Sequence, residues 1–342
     1  MQRPLRARET SPFTSQFRLA LASTAALLVL AMALAVAFGT EPISLARALT
    51  DAASTDRLIV CEARLPRVAL GALSGGGLAM VGVAFQAILR NPLAEPYVLG
   101  VSGGAAFGAT VAIVLGLGSA TLLGASMVPL VALLGGLAAT AVVYVFARSG
   151  GGVTGTSILL AGVVVNAIAS AAITFLKTLI TASKAQELLY WLMGFLDLPS
   201  PASLAFVALY VAVGAVLLLR DAGRYNLLAL GDEGASHLGV DVTALERRTF
   251  VACSFVVGAI VSVTGLIGFV GLVVPHALRR IFGPDVRVIL PASLFAGGAT
   301  LVACDLVSRG LFRWLHTEPP VGAVTAILGG PIFLALLRRQ AR

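Results

Sequence analysis

PRVALGALSGGGLAMVGVAFQAIL, residues 66–89, carries one charge, Arg67, in 24 positions. As a helix it would reach roughly 36 Å, more than the roughly 30 Å of a bilayer's hydrocarbon core. Nine more apolar stretches lie near residues 19–38, 98–117, 122–147, 157–180, 203–219, 249–263, 265–282, 288–308 and 321–337. The fold class they point to is all-α: a polytopic transmembrane helical bundle of about ten spans. A mean hydropathy of +0.97, with 58% hydrophobic and 12% charged residues, sets water-soluble folds aside. Stretches 249–263 and 265–282 are split by little more than Thr264-Gly265, so nine spans or ten satisfy the hydropathy, and the charges favour ten.

With the N-terminus inside and ten crossings, the inner loops and tails hold 16 of the 24 basic residues. The positive-inside rule then puts both termini of this multi-pass chain in the cytoplasm. The domain reading is a cytoplasmic tail at 1–18, one transmembrane domain at 19–338 with a long cytoplasmic loop at 220–248, and a tail at 339–342. Membrane lipid is an expected partner and nucleic acid is not, because the arginines are spread over loop ends rather than clustered on a face with interleaved aromatics. The Arg-rich start followed by an apolar run ending in Ala33-Leu34-Ala35-Val36-Ala37 imitates a signal peptide. The run is about 20 residues where a signal core has about 7–15, which favours an uncleaved first helix. Cys61, Cys253 and Cys304 cannot form a paired framework and read as small apolar residues.

Gly100, Gly104 and Gly108 repeat every fourth residue, a small-xxx-small face on which transmembrane backbones approach closely. Gly75-Gly76-Gly77, Gly135-Gly136 and the series Gly265, Gly268, Gly271 suggest the same tight packing, or helices that shift against neighbours. Ion-coupled carriers usually hold ionisable residues near the midplane. Here the span centres are nearly bare, and Asp305, towards a span end, has Arg309 four residues on as a local partner. A phosphate loop G-x-x-x-x-G-K-[ST] needs a lysine, and the only two, Lys177 and Lys184, do not follow the required glycine. If transport is ATP-driven, another polypeptide supplies the engine. His237, His276 and His316 are far apart, and no HExxH, GxSxG or Cys/His metal spacing occurs, so catalytic and metal sites are expected to be absent.

In the 220–248 loop, Asp232 and Glu233 begin a short helical pattern where acids suit the dipole. Ala235 and Leu238, at i and i+3, offer a small apolar patch to a partner groove. A docking surface and a merely solvated loop both fit this composition. Pro92 and Pro96 mark a broken, non-helical connection. Asn166, Ser170 and Thr174 line one helix face at fourth-residue spacing, suited either to a weakly polar cavity or to interhelical hydrogen bonds.

Several motifs, in order, carry a resemblance: RLPR at 64–67, QAILRNPLAEPYVLGVSGGAAFG at 86–108, ILLAG at 158–162 and YWLMG at 190–194. They continue with LLALGDEGASHLGV at 227–240, GLIGFVGLVVPHALR at 265–279 and EPPVGAVTAILGGPIF at 318–333. From about residue 60 to 338 the chain resembles the FecCD-type permeases of binding-protein-dependent ABC importers for iron chelates, haem and vitamin B12.

That resemblance implies the type II importer permease fold in the bacterial inner membrane and a second permease subunit, expected to be a copy of this chain. It implies two cytoplasmic ABC ATPase subunits that carry the ATP-Mg, with no cofactor on this chain, and an extracytoplasmic substrate-binding protein. It implies that Gly231 to Gly239 is the coupling helix, with Asp232, Glu233, Ala235, Leu238 and Gly239 facing the ATPase. Asn91 and Leu93 match one cytoplasmic gate, and Thr154 and Gly155 the other, where the family often has Ser or Thr in place of Gly155. Arg64, Arg67 and Arg309 match the outer arginines that meet acidic residues of the binding protein; RLPR can alternatively be a simple interfacial anchor. Asn166, Ser170 and Thr174 would line the translocation path, and the breadth of the iron-chelate branch tilts the cargo that way. The competing class is a secondary transporter or channel working without an ATPase; an intramembrane enzyme lacks a set of polar groups.

Overall fold

Backbone in a bilayer must satisfy its own N–H and C=O groups, so apolar stretches become helices. The computed structural model describes residues 12–117, 121–122, 125–148 and 155–340. The chain enters on α1 (Pro12–Ala37), passes short helices α2 (Leu45–Thr50) and α3 (Thr55–Leu58), and runs through a π-helical turn, Ile59–Arg64, into α4 (Leu65–Ile88). A connection and a 3-10 turn, Pro96–Leu99, lead to α5 (Val101–Val114), followed by α6 (Met127–Arg148), α7 (Gly155–Lys177), α8 (Ala182–Met193) and α9 (Pro201–Leu228). The short α10 (Asp232–His237) precedes α11 (Val242–Thr264), α12 (Val270–Phe282), α13 (Val286–Leu315) and α14 (Val321–Gln340). Thr121–Leu122 and Ala125–Ser126 form a two-residue antiparallel ladder between α5 and α6, and the regular structure of the described residues is otherwise helical.

Among the described residues seven helices are long and apolar enough to cross a membrane. The other three expected spans are shorter. Stretch 98–117 becomes the 3-10 turn plus 14 helical residues, roughly 21 Å. Stretch 265–282 keeps 13 helical residues, and the described apolar part of the last helix is Val321–Ala335. The break between the seventh and eighth stretches is wider than Thr264-Gly265: residues 265–269 leave the helix, bracketed by positive φ at Gly265 (+67°) and at Phe269 (+68°). Phe269 has a Cβ, so its left-handed backbone is strained and must be held by its surroundings. In contrast α11 is longer than expected, starting at an Asp241 cap whose carboxylate accepts from Ala244 N at 2.9 Å. Helix α8 occupies what hydropathy leaves as a connection.

Helix α4 sits at the centre, against α13, α9, α12 and α11, while α5, α6 and α7 pack together beside it and α1 lies on α13. Its glycines explain that position. A Cβ on Gly75 would overlap the Gly297 carbonyl of α13, and one on Gly82 the Gly271 carbonyl of α12. The same close approach joins α5 to α6, where Gly104 and Gly108 meet the backbone of Gly135 and Val131. Gly100 is different: it caps the 3-10 turn at φ +86°. Cys253 and Cys304 are buried and Cys61 is exposed, all three unpaired.

Candidate functional site

Two ends of the bundle carry the candidate residues. Helix α4 starts just after Arg64 and finishes beside α10, so these name opposite ends.

At the α10 end, Gly231 turns the chain with φ +89° and α10 follows for six residues. Ala235 is 0% exposed, and its carbonyl accepts from Val240 N at 3.0 Å, closing the loop behind it. Ala235 therefore roots α10 in the bundle, which corrects its assignment to the docking patch. What faces outward is Asp232, Glu233, Gly239 and Leu238, the last 58% exposed. Arg90 Nη2 lies 2.9 Å from Asp232 Oδ2. Arg90 has positive φ, +48°, because α4 ends there and NPLAEP turns away as the broken connection that its prolines predict. Within that connection Asn91 Oδ1 accepts from Leu93 N at 2.9 Å, and Leu93 is exposed. Thr154 lies outside the described residues, and Gly155 begins α7.

The same connection reaches inward. Glu95 Oε1 accepts from Phe269 N at 2.6 Å, and the Tyr97 hydroxyl accepts from Ile267 N. The loop after α4 thus satisfies backbone donors freed by the break between α11 and α12 and holds Phe269 in its strained conformation. Burial pushes the Glu95 carboxyl pKa up, against the lowering effect of the Phe269 amide. The ring of Phe269 reaches α14, where it lies against Gly329.

At the opposite end, the three arginines expected on an open rim are instead occupied. Arg64 is 5% exposed and Arg309 4%. Arg64 Nη1 donates to Val36 O at 2.8 Å and Ala37 O at 3.0 Å, and its Nη2 to Glu41 O. Arg309 Nη1 donates to Ala35 O at 3.0 Å and Phe38 O at 3.2 Å. Two guanidiniums therefore close the C-terminus of α1, where unpaired carbonyls and the negative end of the dipole favour cations. The local Asp305–Arg309 pair is present at 2.9 Å, close but not aligned as a hydrogen bond, and Arg309 Nη2 has no hydrogen-bond partner among the described residues. Arg67 adds a link the sequence does not reveal, 2.9 Å from Asp305 and 3.0 Å from Glu318. Glu318 also accepts from Thr40 at 2.7 Å. Burial alone would raise the Glu318 pKa, but the Thr40 hydrogen bond and the arginines outweigh it and hold it below the ordinary carboxylate value.

Along α7, Ser170 and Thr174 are exposed and Asn166 is half-buried. Asn166 Nδ2 donates to Tyr97 O at 2.8 Å while its Oδ1 is unpartnered. Thr174 donates to Ser170 O within the helix. The stripe is open, and its top residue is tied to the 3-10 turn. Sequence reasoning missed Arg90, Glu95 and Glu318 as site residues, although all three stand inside motifs quoted above; only their partners, distant in sequence, give them roles.

A short outward-facing helix, a broken connection beside it and a charged opposite end thus mark the two ends of the bundle. The chain matches the profile of the FecCD transport family over residues 27–339. It is 43% identical over 289 residues to the cobalamin import system permease protein BtuC of Halobacterium salinarum, covering 84% of this chain and 76% of that one. It is 36% identical over 296 residues to the hemin transport system permease protein HmuU of Yersinia pestis, covering 86% and 88%. A solved structure described as an inward-facing metal-chelate type ABC transporter superposes with a TM-score of 0.83 at 29% identity, covering 93% of this chain and 98% of that one.

Proposed function

The chain belongs to the FecCD transport family, and from that premise we propose that two copies of it enclose the membrane path of a binding-protein-dependent ABC importer that brings a metal chelate into the cytoplasm. Separate ATPase subunits with ATP-Mg drive it, engaging α10 through Glu233, Leu238 and Gly239. The observation that carries the mechanism is the Arg90–Asp232 ion pair. A push on α10 passes directly to the end of α4 and the loop holding Asn91 and Leu93, and through Glu95 to the start of α12. Small displacements can then switch packed helices as rigid bodies.

The α10 end faces the cytoplasm together with both termini, in keeping with the excess of basic residues there. The opposite end receives the binding protein. Of the three arginines there, Arg67, with 19% of its side chain exposed, is the one placed to meet acidic groups on a partner. Asn166, Ser170 and Thr174 line the path where the second copy closes over α7. Among the chelates, cobalamin is the cargo to test first, given the 43% identity to a cobalamin permease; this displaces the tilt towards an iron chelate.

The test is reconstitution with the cognate ATPase and binding protein, followed by uptake of cobalamin, haemin and ferric siderophore into proteoliposomes. Uptake of one cargo that disappears without ATPase or ATP supports the reading. Uptake by this chain alone overturns it in favour of a secondary carrier.

A further inference from the structure

Helices α9 and α11 leave a crevice of about 410 Å³ between them, walled by Leu209, Tyr210, Val213, Leu217, Val251 and Phe255. Towards the α10 end it continues past Leu217, Val251 and Ala252 into a second crevice of about 270 Å³, where the walls change character. Arg220, Arg247 and Arg248 stand there, over a floor closed by the 2.7 Å hydrogen bond between the Tyr225 and Thr249 hydroxyls. The only carboxylate in these walls, Asp221, is buried and already claimed by Arg224 and, at 3.8 Å, by Arg248. Arg220 and Arg247 have no ion pair among the described residues, and both are exposed. A largely apolar groove on the outer face of the bundle, with Leu209, Val213 and Val251 exposed, thus ends in uncompensated positive charge.

The dimensions match one leaflet. From Leu209 to Arg220 the helix rises roughly 16 Å, about half of the roughly 30 Å hydrocarbon core. An occupant must be apolar over that length and anionic at its end. We propose that this joined crevice binds an anionic phospholipid, an acyl chain lying along Val213, Leu217 and Val251 and the phosphate between Arg220 and Arg247. Basic sites between transmembrane helices at the headgroup level recognise such lipids by charge, and each arginine near the surface strengthens the association. The site is independent of the cargo and of the gate; only its assignment to the inner leaflet rests on the topology proposed above.

Native mass spectrometry of the purified detergent-solubilised permease, titrated with phosphatidylglycerol, phosphatidylcholine of the same acyl chains, or sn-glycerol 3-phosphate, tests the proposal. A saturable phosphatidylglycerol adduct is expected, with phosphatidylcholine bound at least about tenfold more weakly, and glycerol phosphate should not compete. Removing two charges by R220Q/R247Q should weaken phosphatidylglycerol roughly thirtyfold, and V251W, which fills the groove and spares the arginines, should abolish the adduct. Equal binding of the two lipids, or displacement by glycerol phosphate, overturns the proposal using the unaltered protein alone. Unchanged lipid binding in R220Q/R247Q, with lost co-purification of the ATPase, would instead make the basic mouth a protein interface and equally overturn it.

Discussion

Arg90 and Asp232 are 142 residues apart in sequence and 2.9 Å apart in space, joining the end of α4 to the start of α10. The pair is solvent-exposed, so it contributes at most about 1 kcal/mol to stability. Its importance is mechanical. Arg90→Ala should leave folding and ATPase association intact while cutting transported cargo per ATP hydrolysed roughly tenfold, the scale of a coupling free energy between sites. The swap R90D/D232R should restore much of the loss. Wild-type uptake in Arg90→Ala would remove the pair from the coupling path.

Asp305 lies between Arg67 and Arg309, and among the described residues no other acid forms an ion pair with Arg309. Asp305→Ala leaves a buried guanidinium without a counter-charge, for which about 3–5 kcal/mol of destabilisation is expected. Thermal unfolding in detergent should show Asp305→Ala losing far more than Arg47→Ala, whose pair with Asp56 is exposed on the arginine side. Equal losses would mean that the network is hydrated rather than buried.

Glu318 has a folded-state pKa below its unfolded value of about 4.3. Its carboxylate therefore contributes stability that is complete above the unfolded value and is lost as pH falls through the folded one. The difference in melting temperature between the wild type and Glu318→Gln should be full at neutral pH and shrink below about pH 4. A difference that grows on acidification would contradict this sign.

Gly82 faces the Gly271 carbonyl with no room for a methyl group, whereas nothing lies within 4 Å of a Cβ on Gly223. Gly82→Ala must push α4 from α12, a cost of about 1–3 kcal/mol if the helices shift and a loss of the folded protein if they do not. Gly223→Ala, on the exposed face of α9, should be neutral or stabilising by up to about 1 kcal/mol. Size-exclusion profiles after mild heating compare the two directly.

Interactions local in sequence were legible beforehand. Prolines at 92 and 96 forced the broken connection, and fourth-residue glycines on α5 marked a close helix contact, because each depends only on a few consecutive residues. The i, i+4 pair of Asp305 and Arg309 was legible for the same reason. Ala235 was misjudged because a six-residue helix has two faces, and composition does not say which one the bundle covers.

The sequence by itself determined that the chain is a membrane-spanning helical bundle and which family it resembles, since hydrocarbon length and motif order are properties of the chain alone. Only the tertiary structure decided that Arg64 and Arg309 close the end of α1 and that Glu95 holds Phe269 across the bundle. It also decided that α5 and α12 are shorter than their apolar stretches. Those outcomes depend on which carbonyls and amides are left unpaired after packing, and that is set by partners more than 20 residues away.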